Sequence, residues 1–181
     1  MLNATARAKL NLTLHITGKR ADGYHLLDSL VCFTQVGDAI SVEAADDLLL
    51  HVEGEFAHAI GAGDDNLVLR AARALRAYAK VETGARITLR KQLPVAAGLG
   101  GGSSDAATTL LLLRSLWGLA INHEVLTSIA APLGADMSVC LYGKSAFMSG
   151  IGDVIEPAPM LPVRCIGATA AMAAMPCHAL H

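Results

Sequence analysis

Residues 94–110 read PVAAGLGGGSSDAATTL. Four glycines fall within the five positions Gly98 to Gly102, and two serines, an aspartate and an apolar run follow. Upstream, ARITLRK at 85–91 sets Ile87 and Leu89 against polar neighbours, the period of a strand. Downstream, 103–116 has the character of a helix, with Ser103, Ser104 or Asp105 as its expected cap. Strand, glycine loop and helix start together make an anion site. Glycines let the backbone approach a ligand closely. The first N–H groups of a helix are unpaired and sit at the positive end of its dipole. Phosphate is the natural guest.

Two familiar phosphate loops do not fit. No lysine follows the glycines, as the P-loop needs, and the third glycine of a dinucleotide fingerprint starting at Gly98 would fall on Ser103. The competing reading is a tight turn that only packs a helix on a strand. Four glycines ahead of Ser-Ser-Asp favour the phosphate site.

Leu10, Leu12, Leu14 and Ile16 alternate with Lys9, Asn11, Thr13 and His15, which predicts a half-buried strand. Asp22-Gly23 marks a turn. Residues 26–33, 38–43 and 48–52 predict three further strands. Residues 66–80 predict a helix, with Val68, Ala71, Ala72, Leu75 and Ala79 on one face and a solvated stripe of Arg70, Arg73, Arg76 and Lys80 on another. Asp64 or Asp65 is its expected cap. Asn122 caps a second helix that ends near Pro132 and Gly134, and a new element starts at Asp136. Strands, helix, strand and helices in this order give an α+β class.

The chain has 181 residues, 53% hydrophobic and 17% charged, with a net charge of −2. That suits a domain with a substantial core and argues against nucleic acid as a partner. No stretch has the apolar length of a membrane span, and the N-terminus lacks a signal peptide's apolar centre. Cys32, Cys140, Cys165 and Cys177 form no CxxC pair, so a reducing cytoplasm is expected. No metal motif occurs. His178 and His181 read as part of a frayed tail.

The stretch PVAAGLGGGSSDAA resembles the phosphate motif of the GHMP kinases. AKLNLTLHITGKRADGYHLLDSL, DDNLVLRAARAL, LGADMSVCL and SGIGDVIEP resemble other segments of that family in the same order, over about residues 6–160. The resemblance implies the α+β fold of a GHMP kinase N-terminal domain, like domain 2 of ribosomal protein S5. It also implies an ATP-dependent kinase acting on a hydroxyl of a small molecule, with magnesium carried on the nucleotide. The GLGGGSSDAA form and the Gly-Tyr-His segment point to the branch whose polyol substrate bears a cytidine diphosphate, in isoprenoid precursor synthesis.

By the same resemblance, Lys9 and Asp136 are the catalytic pair. Pro94, Ala96, Ala97, Gly98, Leu99, Gly100, Gly101, Gly102, Ser103, Ser104 and Asn66 bind ATP. Asn11, Tyr24 and His25 bind the second substrate. Read without it, Lys9 is a solvated strand residue, Asp136 and Asn66 are helix caps, and Tyr24 is a turn aromatic. Met137-Ser138 departs from the family's usual Val-Pro after the aspartate. The match fails after about Pro162. Residues 1–162 are therefore expected to form the ATP-binding domain, and residues 163–181 a divergent, truncated or frame-shifted tail in place of a C-terminal domain. A non-catalytic fragment that binds nucleotide weakly or not at all, and a GHMP kinase of another substrate, are the alternatives. Oligomeric state is not legible.

Overall fold

The computed structural model describes residues 1–159, so the expected tail at 163–181 and its two histidines lie outside the described residues. Strand β1 spans Leu2–Lys19 and β2 spans His25–Ala45, joined by a turn through Asp22-Gly23. β3 (Leu48–Glu53), helix α1 (Leu67–Ala79) and β4 (Gly84–Arg90) follow. Then come α2 (Gly101–Leu116), α3 (His123–Ala130), α4 (Met137–Tyr142), β5 (Ala146–Gly150) and β6 (Val154–Pro157). The result is α+β.

The six described strands form one sheet, ordered β3-β4-β2-β5-β6, with β1 paired to β2. β2 is its axis. One edge carries β1 along nearly its whole length. The other is divided, with Ala39–Ala45 paired to β4 and Leu27–Val31 paired to β5. Among the described strands only β3 and β4 run parallel, and α1 lies in the connection between them.

The two strands expected at 26–33 and 38–43 are one. Between Arg7↔Gly37 and Lys9↔Phe33, β2 uses more residues than β1, so the polar dip at Thr34–Val36 is a bulge and not a turn. Thr34 Oγ1 closes it by donating to the Val36 carbonyl.

The alternation in β1 also fails in part. Ala6, Ala8 and Leu10 are buried, but Leu14 and Ile16 are 55% and 62% exposed. The lysine expected in solvent, Lys9, is buried. The register shift between Asn11 and Thr13 changes which face each side chain takes. Tyr24, Phe147 and Val154 are exposed near the same end of the sheet.

α2 packs across β1, β2, α1 and α4. The main core joins Ile40, Val42, Ile87 and Leu89 of the sheet to Leu75 of α1 and Leu110 and Leu113 of α2. The expected apolar face of α1 is correct, except that Ala79 is only half-buried. Its cap is not Asp64 or Asp65. The Asn66 side chain accepts from the Val68 N–H at 2.9 Å.

Candidate active site

The glycine loop is anchored from below. Leu99 is buried with Ala8, Leu10, Cys32 and Leu93 in a small second cluster. Burying one leucine in this way stabilises by roughly 1.5–3 kcal/mol. The Leu99 carbonyl accepts from the Lys9 N–H at 2.8 Å, which ties the loop to β1. Ala96, Gly98 and Gly100 all have positive φ. Ala96, at 59°, is the non-glycine among them and carries the steric strain of the left-handed region.

α2 begins two residues before the expected start. Its cap is Gly100, at φ 59°, with no side-chain cap bond, so neither serine nor Asp105 caps it. Glycine is needed there twice over. The left-handed backbone disfavours a side chain, and a Cβ would lie 3.0 Å from carbons of Lys9. The Ser104 N–H is the first to close a helical bond, to the Gly100 carbonyl. The N–H groups of Gly101, Gly102 and Ser103 precede it and have no acceptor within the helix.

These groups border an open cleft of about 690 Å³. Pro94, Ala96 through Ser103, and Asn66 all line it. Ser104 does not: its hydroxyl donates to the Arg7 carbonyl at 2.6 Å. Asn66 has both of its readings at once, since it caps α1, donates to the Gly61 carbonyl at 2.6 Å and lines the cleft.

On the other side of Gly100 lies a polar chain. Lys9 Nζ is 3.2 Å from Asp136 Oδ1. It also donates to Asn11 Oδ1 at 2.9 Å, and Asn11 Nδ2 donates to Ser29 Oγ at 2.7 Å. Ser29 then donates to the Thr13 carbonyl. Lys9 and Asn11 share one face of β1, as their spacing predicts. The lysine side chain is 5% exposed and the aspartate 34%, so the ammonium is enclosed while the carboxylate is open to a reactant. Asp136 occupies the cap position of α4 but makes no cap bond, which leaves its carboxylate for Lys9. Cys140 packs nearby, and burial, with the Asp136 charge, pushes its thiol up to about 12.

Tyr24 and His25 stand apart. They lie at the β1–β2 turn, where Lys19 pairs with His25, whereas Lys9 pairs with Phe33. At about 3.3 Å per residue, roughly 30 Å of strand path separates the two places. The register shifts at Asn11/Thr13 and Ile16/Gly18 bend that path.

Sequence reasoning did not single out Ser29, Asp38 or Lys91. All three are buried polar residues, and no local pattern marks them. Among the described residues no group of three or more His, Cys, Asp or Glu could hold a metal ion. No helix there is long and apolar enough to cross a membrane.

Residues 66–144 match the GHMP kinases N terminal domain. Over 157 residues the chain is 56% identical to 4-diphosphocytidyl-2-C-methyl-D-erythritol kinase of Parvibaculum lavamentivorans, covering 87% of this chain and 54% of that one. It is 54% identical to the protein of the same name from Ruegeria pomeroyi, covering 89% of this chain and 55% of that one. A crystal structure of 4-(cytidine 5'-diphospho)-2C-methyl-D-erythritol kinase superposes with a TM-score of 0.73 at 38% identity, over 87% of this chain and 55% of that one. The chain spans about half the length of these relatives. With the glycine loop and the order of elements around it, these likenesses show that the chain has the α+β fold of a GHMP kinase N-terminal domain.

Proposed function

We propose that this chain is the nucleotide-binding half of an ATP-dependent kinase that phosphorylates a hydroxyl of 4-diphosphocytidyl-2-C-methyl-D-erythritol, a soluble cytoplasmic enzyme of isoprenoid precursor synthesis. The observation that carries the reading is the Lys9–Asp136 pair, 3.2 Å apart and separated from the anion cradle only by Gly100. Phosphoryl transfer is mainly a matter of position and charge. The free N–H groups of Gly101, Gly102 and Ser103 hold the phosphates. Asp136 accepts the proton of the attacking hydroxyl. Lys9 balances charge developing on the transferred group, and Asn11 holds Lys9 in place while Ser29 orients the amide. Magnesium bound with the nucleotide would neutralise part of the phosphate charge.

Tyr24 and His25 contact the cytidine end, a role supported by their exposure at the hairpin turn and by the relatives' names. Residues 1–162, of which 1–159 are described, are assigned to the ATP-binding domain. The exposed Leu14, Ile16, Phe147 and Val154 support docking of a second half at that end of the sheet.

The test is ATP-dependent product formation from 4-diphosphocytidyl-2-C-methyl-D-erythritol, followed by mass spectrometry. Transfer that survives in Lys9→Met and Asp136→Asn would overturn the assignment of the pair. The glycine cradle taken alone supports a second reading, nucleotide binding without transfer. ATP binding with no product from any member of a GHMP substrate panel would select it.

A further inference from the structure

Beneath the glycine loop lies a buried charge cluster that the transfer chemistry does not use. Lys91, Asp38 and Asp105 are 3%, 0% and 1% exposed. Lys91 Nζ donates to Asp38 Oδ2 at 2.5 Å and to Asp105 Oδ2 at 2.8 Å. Asp38 Oδ1 accepts from the backbone N–H groups of Gln92 and Leu93. Asp105 Oδ1 has no hydrogen-bond partner among the described residues. The cluster thus ties the axis strand β2 to both ends of the glycine loop, where the chain leaves β4 and where it enters α2.

Its position bears on anion binding. Lys91 and Asp105 line the cleft. A Cβ on Gly101 would lie 3.1 Å from Lys91 Nζ and 3.8 Å from Asp38 Oδ2, so the ammonium sits against the first residue of the helix. With both carboxylates ionised the cluster is net negative, under the place where phosphates would lie. With Asp105 neutral, Lys91 and Asp38 balance, and the helix dipole acts unopposed.

The surroundings favour the neutral form. Burial, then the Asp38 charge, raise Asp105 to about 7 against the pull of Lys91. Burial works against the Lys91 ammonium, but the two carboxylates outweigh it and its pKa rises. Of the other elements packed on α2, β1 brings Lys9, already engaged with Asp136. α4 brings the neutral Cys140 thiol, and the buried face of α1 is apolar.

We infer that the Lys91–Asp38–Asp105 cluster is a positioning device for the phosphate cradle, and that the charge on Asp105 controls how tightly the cradle holds a nucleoside triphosphate. The inference rests on the nucleotide reading above. None of the three residues is placed in contact with the reacting atoms.

Calorimetric titration with ATP tests it on the wild-type chain and on Asp105→Asn. At about pH 6 the two bind within about twofold of each other, and at about pH 8.5 the variant binds about fivefold more tightly. A ratio that stays flat with pH overturns the inference and leaves the nucleotide reading intact. No ATP binding by the wild type at either pH overturns both. A second measurement needs no variant. Followed through its ¹³C carboxyl resonance, Asp105 titrates at higher pH when the chain is saturated with ATP, by about half a unit or more. A midpoint that does not move overturns the inference.

Discussion

Lys9 Nζ and Asp136 Oδ1 meet at 3.2 Å, one from the first strand and the other from the cap position of the fourth helix. Neither residue is held by its neighbours in sequence alone. Asn11 steadies the ammonium, and an unused cap position frees the carboxylate. Removing either charge should lower the rate of transfer far more than it lowers ATP affinity. We expect Asp136→Asn and Lys9→Met each to cost about 10²-fold or more in kcat, with the KM for ATP within about threefold. Steady-state kinetics on an active form of the enzyme checks this. A large rise in KM at unchanged kcat would assign the pair to binding instead.

The glycine cradle should tolerate no side chain at its core. A Cβ at Gly100 meets Lys9, and one at Gly101 meets the Lys91 ammonium. Gly100→Val with Gly101→Val should abolish ATP binding while the far-ultraviolet circular dichroism stays near wild type. The single Gly101→Ala is milder, since the end of a lysine side chain can shift, and should weaken ATP by about tenfold. Full affinity in a folded double variant would show that the loop is a packing turn.

Asp105 should make stability fall as pH rises. Its pKa in the folded chain, about 7, lies above the ordinary aspartate value. Folding therefore favours the protonated form. That contribution is complete below the ordinary value and is lost as pH climbs through about 7. Asp105→Asn escapes the loss, so its stability relative to wild type should improve by roughly 1–3 kcal/mol between about pH 5 and about pH 8. Urea unfolding at the two pH values measures the difference, and an equal offset at both would contradict it.

Asn66 should show its two roles separately. Asn66→Ala removes the cap of α1 and should cost about 1 kcal/mol in thermal unfolding. Asn66→Asp keeps an acceptor for the Val68 N–H but loses the donor to the Gly61 carbonyl. It should stay within about 0.5 kcal/mol of wild type in stability while weakening ATP, because it sets a negative charge at the cleft. Unchanged affinity in that variant would leave Asn66 a cap only.

What the sequence by itself determined is local. Alternating apolar residues marked β1 and β4, an apolar run marked β3, and helical spacing marked α1. The glycine run carried the expectation of an anion site, because loop geometry and unpaired helix N–H groups depend on adjacent residues. Lys9 and Asp136 are named only by the resemblance of their motifs to the kinase family; as residues alone they read as a solvated lysine and a helix cap. Tertiary structure alone decided the rest. A bulge at Thr34–Val36 joined two expected strands into the axis of the sheet, since a dip in hydropathy does not tell a bulge from a turn. α2 took Gly100 as its cap, while the Ser104 hydroxyl bonds β1 and Asp105 bonds Lys91. Lys91 and Asp38 carry no signature in sequence. Their meaning comes from a buried contact between the axis strand and the end of β4, where a charge survives only if its partners arrive from elsewhere in the chain.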